Sequence, residues 1–234
     1  MIYICLLVGV WAIVSAVYLP VYGSFFLSDD FPIIAAVQND MKPWYSYLST
    51  NITGKLGGGI YRPLVRFSFL LNYKLGRLEP RGYYVFNIFI HALVSFLVGL
   101  LAYKIVREYK MYAGITAGLI FALAGNHGEA VNWISSRGDL LAAVFIVSAL
   151  ICHLRFREVG KYRWLYGALI FFCLGLLSKE MATTVPLLFF IIDLFYACAL
   201  PWRAFKRWVP YIACIFFAVV YILMRNYTTH IVLG

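Results

Sequence analysis

Charge is scarce in this sequence. Of its 234 residues, 13% are Asp, Glu, Lys or Arg, while 63% are hydrophobic. A water-soluble domain carries roughly a quarter charged residues, so the apolar excess has to face something other than water, and lipid is the ordinary candidate. Acids are scarcer than bases, 10 against 20, leaving a net charge of +10. No Arg-rich tract with interleaved aromatics accompanies that excess, which argues against nucleic acid and for basic loops anchored at a membrane surface. Cysteine is sparse as well. Cys5, Cys152, Cys173, Cys198 and Cys214 lie in or beside apolar runs without a CxxC pair, so buried thiols are expected, with neither a disulfide framework nor a metal site. The first apolar run, residues 2–19, lacks a basic leader and a small-x-small cleavage site before Tyr22. It reads as a retained helix and not as a signal peptide. Internal repeats and low-complexity segments are missing too.

What is present is a series of apolar runs. Residues 2–26, 83–103, 111–124, 140–154, 164–177, 185–200 and 209–224 predict about seven membrane helices, hence an all-α polytopic bundle forming one module over residues 1–234. Several runs are shorter than the ~20 residues a perpendicular span requires, so flanking polar residues must complete them. Residues 28–82 differ: they are polar, with Pro43, Pro63, Pro80 and the run Gly57-Gly58-Gly59. They predict a long first extramembrane loop carrying short interfacial helices, with Trp44, Tyr45 and Tyr47 as an aromatic belt.

Basic residues set the orientation. Lys104, Arg107 and Lys110 follow the second run, Arg155, Arg157, Lys161 and Arg163 the fourth, and Arg203, Lys206 and Arg207 the sixth. These loops alternate, so they share one face, which the positive-inside rule makes cytoplasmic together with the N-terminus. The opposite face receives Asp29, Asp30, Arg62, Arg66, His127, Glu129, Arg137, Asp139, Lys179, Glu180 and Arg225. Only Glu108 and Glu158 are acids of the basic loops, and Asp193 falls within the sixth run without an evident partner. The sequons Asn51-Ile52-Thr53 and Asn226-Tyr227-Thr228 lie on the outer side.

Several constellations on that face could do chemistry. Adjacent carboxylates such as Asp29 and Asp30 repel, which raises one pKa and suits a general base near neutral pH; a solvated helix-end pair is the plainer alternative. Arg62 and Arg66 are four apart, and Pro63 can open a helix at its first turn, placing both guanidinium groups on neighbouring positions. Such a pair suits a phosphate, whether of a substrate or of a lipid headgroup. His127 and Glu129 could form a proton relay, a structural pair or half a metal site, but two ligands do not make a metal centre. Ser136-x-x-Asp139 before an apolar run matches a capping box with Asp in place of Glu, leaving Arg137 and Asp139 between structural and functional use. Lys179 and Glu180 lie between two apolar runs, where charge costs roughly 2.5–3.5 kcal/mol at a span's centre; they are paired, functional or snorkelling.

These segments occur in a telling order. The acidic pair precedes Tyr61-Arg62-Pro63-Leu64 and Asn72-Tyr73-Lys74-Leu75-Gly76, then Tyr84-Val85-Phe86-Asn87-Ile88-Phe89-Ile90-His91-Ala92. His127-Gly128-Glu129-Ala130-Val131, Arg137-Gly138-Asp139-Leu140-Leu141-Ala142-Ala143 and Leu177-Ser178-Lys179-Glu180 follow. From about Ser28 to Arg225 the chain resembles the membrane half of the transmembrane and tetratricopeptide-repeat O-mannosyltransferases and their prokaryotic relatives, glycosyltransferases of the GT-C fold. That resemblance implies a polyprenyl-phosphate-linked sugar donor, a protein or glycan acceptor and transfer of a hexose such as mannose, with inversion, on the extracytoplasmic or luminal face. It implies a bacterial inner membrane or an endoplasmic reticulum membrane. Asp29 or Asp30, with a slight preference for Asp29, matches the acid that supplies the base. Arg62, Arg66, His127, Glu129, Arg137, Asp139, Lys179 and Glu180 are the candidates for holding substrate and phosphate. No cofactor is predicted, and use of a divalent metal stays open. Members of the family continue with further helices and a repeat domain beyond the point corresponding to Gly234. Two other readings therefore stand beside the enzyme: a non-catalytic GT-C remnant serving as scaffold or accessory subunit of a larger complex, and a transporter or flippase. The last is disfavoured because the charges cluster at one face without repeated halves.

Overall fold

The computed structural model describes the backbone of residues 2–39, 52, 60–195 and 205–233, and side chains of 5–39, 52, 60–195 and 208–228. Pro43, Trp44, Tyr45, Tyr47, Asn51, Thr53, the glycine run at 57–59, Cys198 and Arg203 lie outside these residues, as do the side chains of Lys206 and Arg207. Every described element is helical. The order is α1 (Ile2–Val17), α2 (Asp30–Asn39), α3 (Pro63–Gly76), α4 (Pro80–Ile105), α5 (Lys110–Leu123), α6 (Gly128–Asn132), α7 (Arg137–Val159), α8 (Tyr162–Ser178), α9 (Val185–Phe195) and α10 (Phe205–Leu233). Short 3-10 turns at Leu19–Gly23, Gly125–His127, Ile134–Ser136 and Glu180–Thr184 complete it.

Each predicted apolar run coincides at least in part with a described helix, the first ending at Val17 before a 3-10 turn and the sixth described only to Phe195. Three stretches are long and apolar enough to cross a membrane, Pro80–Ile105, Ile134–Val159 and Trp208–Thr228, and Cys5–Val17, Lys110–Leu123 and Tyr162–Ser178 are shorter apolar helices. The protein is an all-helical membrane protein. Its surface agrees: Ile120, Ile170, Leu187, Ile215, Phe216 and Leu223 stand exposed at 59–66%, which suits a lipid-facing side.

Backbone chemistry explains the ends. Proline begins α3 and α4, where the missing N–H would have been unpaired anyway. Gly160 ends α7 in the left-handed region at φ +67°, its N–H donating to the Phe156 carbonyl, a helix stop that glycine adopts without a Cβ clash. The chain then reverses directly into α8. Ser136 makes no side-chain cap bond at the start of α7, so the expected capping box does not form; the Asp139 carboxylate is held by Lys179 instead.

Helices α4 and α5 touch through backbone. A Cβ on Gly99 would lie 2.6 Å from the Gly114 carbonyl oxygen, and one on Gly118 would lie 3.1 Å from that of Ser95. With no water to expel between helices in lipid, close van der Waals approach of small residues is the main source of attraction. The loop helices are better integrated than an interfacial position requires. Val65, Phe69 and Leu70 of α3 are buried with Ile33, Ile34 and Val37 of α2, Tyr83 and Tyr84 of α4, and Ile134. A second apolar core joins α7, α8, α9 and α10 around Leu154, Phe172 and Phe189, and a third joins α1, α4, α5 and α7 around Val14, Ile88 and Ala122.

The described cysteines, Cys5, Cys152, Cys173 and Cys214, are free. Asp193, without evident partner in the sequence, has three. His153 Nε2 lies 2.9 Å from its Oδ1, Arg157 Nε donates to the same oxygen at 2.9 Å, and Tyr211 Oη donates to Oδ2 at 2.7 Å. A second Arg157 nitrogen, Nη2, also donates to Oδ2. The network joins α7, α9 and α10 at the end of α7 that carries the basic loops.

Candidate active site at the helix ends

The site is built where helices start and stop. Arg62 immediately precedes Pro63 and is non-helical, at φ −141° and ψ 69°, as the residue before a proline is held out of the α region. Its Nη2 donates to Glu180 Oε1 at 3.2 Å and its Nε to Oε2 at 3.3 Å. Lys179 Nζ donates to both Asp139 oxygens at 2.6 Å. Residues 118 positions apart in the chain thus meet in a pair of adjacent ion pairs. Gly138 packs in this seam, where a Cβ would make ordinary contact at 3.4 Å with the Ser178 carbonyl oxygen and Val65 Cγ2.

These charges are half-buried, and Glu180 feels its surroundings most clearly. Burial alone would push the Glu180 carboxyl up. The hydrogen bond and charge of Arg62, with the charge of Arg225 from α10, outweigh it and hold Glu180 below the usual glutamate range. Beneath them Tyr61 is buried with its ring 5.9 Å from that of Tyr221. Burial, and secondarily the Tyr221 phenol, pushes Tyr61 up to about 12, so it can donate a hydrogen bond but not act as a base near neutral pH.

The two adjacent acids divide their duties. Ser28 adopts φ +38°, a left-handed conformation that costs a non-glycine residue free energy. The turn sends Asp30 inward and leaves Asp29 exposed. Asp30 Oδ2 accepts the Leu27 N–H at 2.9 Å and Oδ1 accepts the Ser135 N–H at 2.7 Å. Burial raises the Asp30 carboxyl; these two bonds and the Arg137 charge oppose the rise without cancelling it. Ser135 lies four residues before Asp139, about one turn of helix, so Asp30 ties the acidic loop to the ion pairs. Asp29 has Ser28 Oγ at 3.4 Å and remains open to an incoming molecule.

Arg137 lies behind this face and is fully buried. Its Nε donates to Asn87 Oδ1 at 2.8 Å, Nη1 to Asn72 Oδ1 at 2.6 Å and Ser68 Oγ at 3.3 Å, and Nη2 to the Tyr83 carbonyl at 3.2 Å. Phe69 and Phe86 rings stack 4.6 and 4.7 Å from its guanidinium carbon. This guanidinium joins α3, α4 and α7, with its donors spent on the fold. Arg66 is likewise fully buried, in the first turns of α3. His127 stacks on Phe121 at 4.2 Å with His91 at 5.6 Å, and burial lowers its pKa. Glu129 is exposed on α6.

The structure therefore brings Arg62, Asp139, Lys179 and Glu180 together, sets Asp30 a turn away with Asp29 beside it, buries Arg66 and Arg137, and places His127 and Glu129 on the link between α5 and α7. Sequence reasoning missed the cage around Arg137. Its signal was Asn72 and Asn87, amides inside otherwise apolar helices. It also passed over Tyr61, which lies beside a recognised arginine.

The model of the family described as dolichyl-phosphate-mannose-protein mannosyltransferase matches residues 85–225. A protein O-mannosyl-transferase of Caenorhabditis elegans is 30% identical over 180 residues, 73% of this chain and 25% of that protein. The protein O-mannosyl-transferases TMTC2 of Homo sapiens and Tmtc2 of Drosophila melanogaster are 29% and 35% identical over 192 and 191 residues, covering 77% and 75% of this chain. The chain spans 20–25% of the length of these three relatives. No solved structure matches it.

Proposed function

The chain belongs to the dolichyl-phosphate-mannose-protein mannosyltransferase family, and we propose that it works as the membrane module of a glycosyltransferase. It moves a hexose such as mannose from a polyprenyl-phosphate donor to an acceptor hydroxyl on a protein or glycan, with inversion. The basic loops lie in the cytoplasm, and the helix ends bearing Arg62, Asp139, Lys179 and Glu180 lie on the extracytoplasmic or luminal face. The observation that carries the reading is the pair of ion pairs that gathers Arg62 and Lys179 at one set of helix ends.

The chemistry follows from charge. The donor's leaving group is a lipid phosphate, and negative charge develops on it as the bond to the anomeric carbon breaks. Arg62 and Lys179, with Arg225 nearby, are cations placed to stabilise that charge. Asp139 and Glu180 hold the two cations in place and oriented before the phosphate arrives. Asp29 takes the acceptor hydroxyl proton as that oxygen attacks the opposite face of the sugar, which gives inversion. Asp30, clamped by two backbone N–H groups, positions the loop that carries Asp29.

Replacing Asp29 with Asn tests the assignment. Sugar transfer from a polyprenyl-phosphate mannose donor should fall by about 10²–10⁴-fold in kcat, the usual contribution of a general base, with donor KM little changed. Undiminished transfer by D29N would remove Asp29 as the base. Replacement of Arg62 or Lys179 by Gln should instead lower kcat by about 10²–10³-fold and raise donor KM.

A further inference from the structure

A cleft of about 460 Å³ opens between α1, α4 and α5, well away from the ion pairs. Gly9 and Ile13 line it from α1, Phe96 and Tyr103 from α4, and Met111 and Leu119 from α5. Ser95 also faces it, but its hydroxyl is spent on the His91 carbonyl at 2.8 Å. Its size is that of a small-molecule pocket, and its walls offer water too few partners to hold it there.

Glycine geometry explains why the space exists. Gly99, Gly114 and Gly118 draw α4 and α5 into backbone contact, whereas a Cβ built on Gly9 meets nothing within 4 Å. Helix α1 thus stands off from a tightly joined pair. Cys5 and Leu6, at the start of α1, line one end together with Tyr103 and Met111. That end borders the short link from α4 to α5, where Arg107 and Lys110 are exposed. Lys104 lies close by, under the influence of Arg155 and Glu158. Glu108 is the acid of the link itself, so the rim keeps an excess of positive charge.

We infer that this cleft holds an anionic phospholipid of the cytoplasmic leaflet, with an acyl chain along the apolar wall and its phosphate at Arg107 and Lys110. The leaflet rests on the orientation proposed above. Basic groups at a membrane face beside an apolar slot are the chemistry that selects an acidic headgroup. The donor phosphate is excluded from this rim by distance: α4, with 26 residues, is about 39 Å long at 1.5 Å per residue and separates it from the outer face.

Native mass spectrometry of the purified chain tests this, with palmitoyl-oleoyl-phosphatidylglycerol, the matching phosphatidylcholine and polyprenyl phosphate as probes. The wild type should retain phosphatidylglycerol at least 10-fold more tightly than phosphatidylcholine. The double variant R107Q/K110Q should lose that preference, and Gly9→Phe, which fills the slot, should lose the lipid altogether. Ile13→Trp fills the same slot from the next turn and replaces Gly9→Phe if circular dichroism shows that variant misfolded. Equal retention of the two phospholipids, or phosphatidylglycerol retained by a folded slot-filled variant, would overturn the inference. So would polyprenyl phosphate displacing phosphatidylglycerol from the wild type. Sugar transfer by R107Q/K110Q, measured alongside, reports separately on the glycosyltransferase reading.

Discussion

At the scale of single residues, two neighbouring carboxylates of one chemical type have opposite fates. Asp30 has both oxygens filled by backbone N–H groups. Asn at that position keeps one acceptor and turns an amide donor toward an N–H, so Asp30→Asn should cost about 1–3 kcal/mol, the penalty for an unsatisfied buried group. A fall in melting temperature checks it, with D29N melting like the wild type. Glu180 makes a pH-dependent prediction. Its folded-state pKa lies below the unfolded value, so the stability it contributes is present above the ordinary glutamate range and is lost as pH falls through the depressed folded value. Thermal stability of the wild type should drop over that interval more steeply than that of Glu180→Gln. Equal slopes would remove Glu180 from the linkage. The acidic pair and the Arg62 position were legible in the sequence because special residue types stand in an apolar background. The division of labour within the pair was not, because it depends on the φ of Ser28 and on Ser135, a residue about a hundred positions away.

At the scale of elements, the membrane helices were legible from their apolar runs and the start of α3 from Pro63, whereas the stop of α7 at Gly160 emerged from the structure. Apolar content could not say which helix pairs with which. The contact of α4 with α5 was written in Gly114-x-x-x-Gly118, but the partner glycine, Gly99, has no spacing relation to it and emerges only from the packed structure. Gly99→Ala places a methyl group 2.6 Å from a carbonyl oxygen, and because backbone is the obstacle, the helices must part. A loss of about 1–3 kcal/mol is expected, measured by denaturation in detergent, whereas Gly76→Ala, with open space around its Cβ, should be far milder on packing. The capping box failed for a related reason. A local pattern offered Asp139 to its own helix, but Lys179, 40 positions away, supplies an oppositely charged partner that occupies both carboxylate oxygens.

At the scale of the whole molecule, the distribution of charge divides the protein into two ends. The described basic links, from α4 to α5 and from α7 to α8, come together, with Lys104 under the influence of Arg155 and Glu158, while the paired acids and bases of the site stand at other helix ends; the alternation of loops predicts that the two sets face opposite sides of the membrane. A cysteine introduced at Thr183, an exposed position beside Glu180, should react with an impermeant maleimide added outside sealed cells or vesicles of native orientation. One introduced at Glu108 should react only after permeabilisation. Labelling of both from one side would overturn the orientation. What composition could not disclose was that the bundle holds charge on purpose in its interior, at Arg137 near one end and at Asp193 near the other.

Asp193 bears on how the protein is made. Helix α9, described over Val185–Phe195, carries an acid that is costly to leave in lipid without a partner. On leaving the ribosome it is a poor candidate for release into lipid by itself. Its partners are His153 and Arg157, already synthesised, and Tyr211, still to come. The order of these partners along the chain predicts that Asp193 is fully paired only once α10 has been made.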